Sequence, residues 1–327
     1  MNKRLVETAT IRMNIVEQGQ GPAVLLCHGF PEISYAWRHQ VSGLAAAGFR
    51  AIAPDMRGYG GTDRPEAIDE YSLFHLVGDM VALLDALNEE TALVVGNDWG
   101  ATVAWQAAQM RPDRFRGIVA MGVPFMERPP FPPTQMFPQN GAALFYALYF
   151  QEPGVAEAEF ERDPRATLRK LLFAASGDAG ARGSGASTPN PFGMVSRQHG
   201  LLAPLPDPLG LPAWLSDADL DAYAEAFSAS GFRGALNYYR NLDRNWQLQA
   251  CLAGRKVEVP ALFMVGERDT GLQIPGIAEV FKAMPALAPR LREPLFVAGA
   301  GHWLPQERPD PVNAAIAAFA RDVLSIA

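Results

Sequence analysis

One stretch of the sequence combines a buried strand, a sharp turn and a helix within a dozen residues. The apolar run 93–95 leads into Gly96-Asn97-Asp98-Trp99-Gly100, and an alanine-rich helical pattern follows. The glycines on either side of Asp98 permit a turn so tight that side chains there would collide with the helix behind. Such a turn lifts its central residue clear of a sheet, as in the Gly-x-Ser-x-Gly nucleophile motif. The stretch therefore predicts Asp98 at the end of a central strand of an α/β fold.

A carboxylate at this position changes the chemistry that is expected of the turn. An aspartate has an ordinary pKa of about 4, so it is already an ionised nucleophile at pH 7, whereas a serine needs a base. A carboxylate is poor at attacking amides but suited to displacement at a saturated carbon. The alternative is that Asp98 only caps the N-terminus of the helix that follows it. A nucleophilic role therefore requires partner residues elsewhere in the chain.

The rest of the chain alternates strands with helices and then changes character. This alternation predicts a mostly parallel sheet with helices on both faces. Prolines crowd the span 124–138, and from 142 to about 246 the periodicity is helical, which predicts an inserted helical cap. We therefore expect a core of residues 1–124 and 249–327 and a cap of residues 125–248. Predicted core strands cover 23–27, 49–53, 93–95, 117–121, 261–265 and 295–298, and predicted cap helices cover 142–150, 157–174, 217–230 and 234–245. The small, polar segment 176–185 is predicted to be a loop.

Composition excludes several classes of partner. The net charge of −7, from 28 basic and 35 acidic residues, argues against a nucleic-acid or anionic-membrane partner. Cys27 and Cys251 are the two cysteines, and they are expected to be free thiols that build no metal cluster. The start has no apolar stretch typical of a signal peptide, and no window reaches the length of a membrane span. These features predict a cytoplasmic protein.

A carboxylate nucleophile forms an ester, and release of that ester needs a water molecule activated by a base. His302 lies in Gly-Ala-Gly-His-Trp directly after the last predicted strand, where the histidine of the order nucleophile, acid, histidine is expected. The supporting acid should follow an earlier strand, and both Glu267 and Asp269 follow the strand 261–265. The spacing predicts a catalytic set of Asp98, His302 and one of these two acids.

With these motifs in place, the chain resembles the soluble epoxide hydrolases of the α/β-hydrolase fold, from about Gly21 to the C-terminus. The resemblance rests on His-Gly-Phe-Pro-Glu from His28, Asp-Met-Arg-Gly-Tyr-Gly from Asp55, the Asp98 turn, and Gly-His-Trp from Gly301. Two cap segments add to it, Leu148-Tyr149-Phe150-Gln151-Glu152-Pro153-Gly154 and Asn237-Tyr238-Tyr239-Arg240-Asn241.

The resemblance implies a role for each residue of the site. Asp269 is the acid that orients His302, and Tyr149 and Tyr239 are the donors to the epoxide oxygen. Each of these tyrosines has a second tyrosine nearby: Tyr146 lies three residues before Tyr149, and Tyr238 lies directly before Tyr239. The choice within each pair therefore stays open. The backbone N–H groups of Phe30 and Trp99 are expected to form the oxyanion hole. The expected substrate is a small-molecule epoxide, the product is a vicinal diol, no cofactor or metal is expected, and the protein is a monomer or a homodimer.

One residue departs from the family pattern, and several alternatives remain. Such turns commonly read Gly-His-Asp-Trp-Gly, whereas this chain has Asn97, for which we expect altered packing rather than lost chemistry. Haloalkane dehalogenases use a similar Asp-Trp turn, but many of them carry an Asn where this chain has Phe30. Fluoroacetate dehalogenases look different at the residue after the nucleophile, where this chain has Trp99. A serine-type esterase does not fit, because this chain has Asp98 and not a serine at the apex of the turn. A non-catalytic binding protein of the same fold is the alternative from another class.

Overall fold

The computed structural model describes residues 2–179 and 193–324. In this described part, eight strands form one sheet in the spatial order first, second, fourth, third, fifth, sixth, ninth and tenth. They are β1 (Asn2–Glu7), β2 (Arg12–Gln18), β3 (Ala23–Cys27), β4 (Arg50–Pro54), β5 (Ala92–Asn97), β6 (Phe115–Met121), β9 (Ala261–Gly266) and β10 (Leu295–Val297), with β7 (Ala143–Phe145) and β8 (Met194–Ser196) elsewhere. β2 pairs antiparallel with β1 and β4, and the other neighbours are parallel. The predicted α/β-hydrolase fold with a mostly parallel sheet is confirmed.

Helices cover both faces of this sheet. Successive residues of the central strands point to opposite faces: Leu25 and Val94 join the apolar cluster that includes the second and third helices, and Leu26 joins the cluster that includes the first and last helices. This arrangement explains why the central strands are continuously apolar. The helices are α1 (Arg38–Ala46), α2 (Leu73–Ala86), α3 (Trp99–Met110), α4 (Pro133–Met136), α5 (Tyr146–Tyr149), α6 (Val155–Phe160), α7 (Pro164–Ala175), α8 (Asp217–Ser230), α9 (Arg233–Arg240), α10 (Leu242–Leu248), α11 (Ile277–Leu287), α12 (Leu304–Glu307) and α13 (Pro309–Leu324).

The turn between β5 and α3 is held by direct backbone packing. A Cβ atom on Gly96 would lie 2.0 Å from the carbonyl oxygen of Gly100, and a Cβ on Gly100 would lie 1.8 Å from the carbonyl oxygen of Cys27. The first turn of α3 therefore rests against the ends of both β3 and β5. Only glycine at these two positions allows that approach.

The segment between β6 and β9 is largely helical, but two predictions for it are wrong. Residues 143–145 form β7, which pairs antiparallel with β8, so the predicted helix 142–150 is reduced to α5. The predicted helix 157–174 is interrupted, because Asp163 caps a new helix by accepting a hydrogen bond from the Ala166 N–H at 2.9 Å, and Pro164 follows as its first residue. The limits of residues 125–248 for the cap remain a prediction.

Within residues 2–179 and 193–324, no helix combines the length and the apolar character that a membrane span requires. Residues 180–185 of the segment predicted to be a loop lie outside the described residues. The first part of that segment forms a short 3-10 turn, Gly177–Ala179.

Replacing Gly96 by Ala should destabilise the protein by roughly 3 kcal/mol, because the new Cβ meets main-chain atoms of α3 that cannot rotate away. Urea unfolding followed by circular dichroism measures the change. Gly78→Ala in the middle of α2 is the matched control, since a Cβ added there meets no atom within 4 Å apart from the neighbouring backbone of its own helix. That control should gain about 0.5–1 kcal/mol. Equal stabilities for the two variants would contradict the packing described for the turn.

Candidate active site

Asp98 stands at the top of the turn in a conformation that residues with a side chain seldom adopt. Its φ of 55° and ψ of −122° place it in the positive-φ region that is uncommon for residues other than glycine. The loop after β3 lies directly against its carboxylate, and a Cβ on Gly29 would lie 2.3 Å from Asp98 Oδ1. The backbone N–H of Phe30 donates a hydrogen bond to the same oxygen at 2.7 Å. The loop after β3 therefore supplies one backbone donor to the Asp98 carboxylate.

His302 follows β10 and lies between two carboxylates. Its Nε2 is 3.4 Å from Asp98 Oδ2, and its Nδ1 is 3.0 Å from Asp269 Oδ2. The side chain of Asp269 is fully buried. Glu267, the other acid considered, is exposed and accepts a hydrogen bond from the Gly299 N–H at 3.3 Å. The structure therefore brings Asp98, His302 and Asp269 together.

The two carboxylates determine the charge of the imidazole. Burial lowers the pKa of His302, but the charge and hydrogen bond of Asp269 and the charge and hydrogen bond of Asp98 together raise that pKa well above 6.5. Because Nδ1 faces Asp269, the proton on that nitrogen is donated to a carboxylate, and Nε2 is the nitrogen that faces the nucleophile.

His28, which begins the loop after β3, has a different environment. The N–H of Met56 donates to its Nε2 at 2.9 Å, so Nε2 carries no proton, and its Nδ1 lies 2.9 Å from the Gly29 carbonyl oxygen and donates to it. Burial lowers the pKa of His28 to about 4. This neutral histidine therefore joins two loops rather than acting as a base.

Two tyrosines of the cap lie together near Asp98. The centroid of the Tyr239 ring lies 5.1 Å from the centroid of the Trp99 ring and 5.7 Å from that of the Phe30 ring. The centroid of the Tyr146 ring lies 5.8 Å from that of the Tyr239 ring. Burial raises the pKa of both hydroxyls, and the charge of Asp98 raises them further. Both hydroxyls therefore remain protonated at neutral pH and can donate hydrogen bonds.

The placement of Tyr149 corrects the sequence analysis. The Tyr149 hydroxyl donates to Glu159 Oε2 at 2.8 Å, and its pKa is raised by burial and by Glu159. The carboxylate beside Tyr149 is thus Glu159 of α6, whereas the carboxylate whose charge acts on Tyr146 is Asp98. The two tyrosines are at i and i+3 of a single turn of helix, and the sequence alone left open which of them faces the nucleophile. The structure pairs Tyr146, not Tyr149, with Tyr239.

Trp99, Asn97 and Glu32 also lie in the segments that surround Asp98. Trp99 is the first residue of α3, so its backbone N–H lies in the first turn, where N–H groups have no partner within the helix. The Asn97 side chain donates through Nδ2 to the main-chain carbonyl of His302 at 3.3 Å, so it contacts the loop of His302 and not the carboxylate of Asp98. Glu32 is a buried carboxyl that sequence analysis quoted only within its motif. Burial, and then the charge of Asp98, raises its pKa to about 7.

Comparison with known proteins agrees with this arrangement. The model of the alpha/beta hydrolase fold matches residues 22–172. Epoxide hydrolase A of Mycobacterium tuberculosis is 45% identical over 97% of this chain and 96% of its own length. The chain belongs to the epoxide hydrolase family.

Solved structures extend this epoxide hydrolase comparison to three dimensions. An epoxide hydrolase from an endophytic Streptomyces has a TM-score of 0.93 and 42% identity, covering 99% of this chain and 96% of its own. Epoxide hydrolase A from Mycobacterium thermoresistibile has a TM-score of 0.88 and 40% identity, covering 98% of each chain. The family predicted from the motifs is confirmed over nearly the whole chain.

Replacing Asp98 by Asn should lower the pKa of His302, because one of the two negative charges that favour the imidazolium is removed. Carbon-13 NMR of histidine-labelled protein follows this titration. His39 is the internal control, because burial and the charges of Arg38, Asp219 and Asp310 act on its pKa and the charge of Asp98 does not, so its pKa should stay unchanged. A His302 pKa that is the same in both proteins would show that Asp98 does not act on the imidazole.

Proposed function

We propose that the chain converts a small-molecule epoxide and water to a vicinal diol through a covalent ester on Asp98. The observation that carries this proposal is that the two oxygens of that carboxylate have different partners. Oδ1 accepts the Phe30 N–H at 2.7 Å, and Oδ2 lies 3.4 Å from His302 Nε2. One carboxylate is thus in contact with both an oxyanion donor and a base, which an aspartate acting only as a helix cap does not need. The names of the relatives support the reaction.

In the first step, Asp98 attacks a carbon of the epoxide. A carbon–oxygen bond forms to the carboxylate as the ring carbon–oxygen bond breaks, and the electron pair of that bond remains on the epoxide oxygen. The oxygen takes a proton from Tyr146 or Tyr239, whose raised pKa values keep the proton in place until the alkoxide develops. The product is a hydroxyalkyl ester of Asp98.

In the second step, water attacks the ester carbonyl carbon. His302 Nε2 takes the proton of the water while Asp269 stabilises the imidazolium. The negative charge that develops on the carbonyl oxygen is held by the N–H groups of Phe30 and Trp99, and donors of this kind contribute on the order of 3 kcal/mol each. Collapse of the tetrahedral intermediate breaks the bond between the carbonyl carbon and the alkoxy oxygen, and that oxygen takes a proton from the His302 imidazolium as the diol leaves. The carboxylic acid that remains on Asp98 passes its proton back to His302, which restores the carboxylate.

The two steps are linked through the charge on Asp98. Before the reaction, the Asp98 carboxylate favours the protonated form of His302. The ester is neutral, so its formation removes that charge, and the pKa of His302 falls. The imidazolium then gives up its proton, which the tyrosinate left by the first step takes up, and the imidazole becomes a base at the stage when a base is required.

We also propose that the protein is cytoplasmic, which the free thiols of Cys27 and Cys251 support.

Replacing His302 by Gln should stop the second step and leave the first step possible, because Asp98 and both tyrosines remain. After incubation with styrene oxide, mass spectrometry of the peptide that contains Asp98 should show an increase equal to the mass of the epoxide. Diol formation without such an adduct would exclude a two-step mechanism. Asp98→Asn, which lacks the carboxylate, is the control that should show no adduct.

Two substrates tested on the wild-type protein separate epoxide hydrolysis from dehalogenation. Wild-type protein incubated with a bromoalkane should release no bromide, while styrene oxide should yield diol. The Tyr146–Tyr239 pair favours the epoxide, because ring opening produces an alkoxide that needs a proton whereas a departing halide does not. Bromide release faster than diol formation would favour the haloalkane dehalogenase alternative.

Replacing Tyr146 by Phe should reduce diol formation about 10²-fold or more, because the hydroxyl that donates to the epoxide oxygen is lost. Tyr149→Phe is the matched control on the same helix, and it should cost stability through the lost bond to Glu159 while it leaves turnover near that of the wild type. The rate of single-turnover alkylation with styrene oxide measures the difference. The reverse order of the two variants would assign the donor to Tyr149, as the sequence first indicated.

A further inference from the structure

The loop that carries His302 is attached to the C-terminal end of α7 in the cap. The backbone N–H of His302 itself donates to the carbonyl oxygen of Ala175 at 2.9 Å. The indole Nε1–H of Trp303 donates to the carbonyl oxygen of Leu172 at 2.7 Å. Carbonyl groups in the last turn of a helix have no partner within that helix, so these two bonds complete the end of α7 with donors from the His302 loop.

Backbone from the two segments is in direct contact at this junction. A Cβ on Gly301 would lie 2.2 Å from the backbone nitrogen of Gly177, and a Cβ on Gly177 would lie 2.6 Å from the carbonyl oxygen of Gly299. Side chains are therefore excluded at both glycines. The segment Leu172–Gly177, which we call the cap strut, consequently fixes where the backbone around His302 can lie.

Glu307 joins the cap strut and the His302 loop through one carboxylate. Its Oε2 accepts the N–H groups of Gly301 and Gly177, both at 2.9 Å, and its Oε1 accepts the N–H of Trp303 at 3.0 Å. The residues immediately before and after His302 are thus bound by the same side chain. Glu307 is 5% exposed, and burial raises its pKa although the three N–H donors act in the opposite direction.

The cap strut also contacts the loop of the catalytic acid. Nη1 of Arg268, the residue before Asp269, donates to the carbonyl oxygen of Gly177 at 3.2 Å. Gly177 therefore contacts the His302 loop through Glu307 and the Asp269 loop through Arg268. Both members of the His302–Asp269 pair are positioned against the same piece of the cap.

We propose that Glu307 is a positioning residue that couples the cap strut to His302 and that it serves the hydrolysis of the ester rather than its formation. The inference rests on the proposed function, because it distinguishes the two steps of that reaction. Ester formation depends on Asp98 and the tyrosines, whereas Glu307 binds the backbone on both sides of His302. A displacement of about 1 Å in a catalytic group can cost on the order of 10²-fold in rate.

Glu307→Gln tests this inference with little change in side-chain volume. The carboxylate accepts three N–H groups through its two oxygens, but an amide must direct its NH₂ group at one or more of those donors. We expect single-turnover ester formation from styrene oxide to change less than about 3-fold. Hydrolysis of the ester should slow by about 10-fold or more. The Asp98 adduct should therefore accumulate during steady-state turnover, and mass spectrometry measures its occupancy.

Gly177→Ala perturbs the same junction from the side of the cap, because its new Cβ meets the carbonyl oxygen of Gly299. It should also accumulate adduct, and it decides the question if Glu307→Gln does not fold. Glu159→Gln is the matched control, since Glu159 likewise accepts three hydrogen bonds, from the Leu201 N–H, the Leu202 N–H and the Tyr149 hydroxyl, within the cap. It should lower stability without changing the ratio of the two steps.

Four results would overturn the inference. In a folded Glu307→Gln protein, both steps could proceed at wild-type rates, or both could slow equally. Glu159→Gln could accumulate the adduct to the same extent, which would make the effect a general loss of stability. If Glu307→Gln does not fold, a normal ratio of the two steps in Gly177→Ala also overturns it. Failure of the proposed function is distinguishable, because then the wild-type protein itself forms no diol from epoxides.

Discussion

The site depends first on the close approach of the α3 backbone to the ends of β3 and β5. Gly96 and Gly100 lack side chains where a Cβ would lie 2.0 Å or less from a carbonyl oxygen. That contact forces the chain to reverse within a single residue, and the residue at the reversal, Asp98, takes a positive φ. The strain is maintained by the buried strands on either side, which are apolar on both faces. The packing of the core therefore determines the position of Asp98.

Electrostatics then distinguishes the roles of the groups around the turn. His302 lies between Asp98 and Asp269, and the two negative charges outweigh the burial that would otherwise lower its pKa. His28 also lies in one of the family motifs, yet burial lowers its pKa, and the Met56 N–H that donates to its Nε2 requires that nitrogen to be unprotonated. The pKa values of Tyr146 and Tyr239 are raised in the same direction as that of His302, by burial and then by the charge of Asp98. The charge on Asp98 thus favours the protonated form of His302 and of both tyrosines.

The sequence predicted the features that follow from short-range pattern, and it missed those that depend on packing between distant segments. Buried strands, the Asp98 turn and the position of His302 are all visible as apolar runs that end in small or polar residues. The choice between Tyr146 and Tyr149 depends instead on which of two neighbouring helical positions meets Glu159, a residue ten positions away on another helix. The pairing of β7 with β8 joins residues some fifty positions apart. Local periodicity contains neither fact, because short apolar runs fit a helix and a strand equally well.

The cap contributes to both halves of the chemistry from different sides. Helices α5 and α9 carry Tyr146 and Tyr239, the donors of the proposed ring opening, and the charge of Asp98 raises the pKa of both hydroxyls. The end of α7 instead binds the backbone of the His302 loop, which otherwise follows a strand of only three residues, β10, at the edge of the sheet. An edge strand that short gives a loop little support of its own, since it is hydrogen-bonded on one side only. Attachment to the cap therefore supplies rigidity that the sheet provides to Asp98 but cannot provide to His302. The packing of α3 against β3 and β5 positions Asp98, whereas contacts with the end of α7 position the backbone of His302.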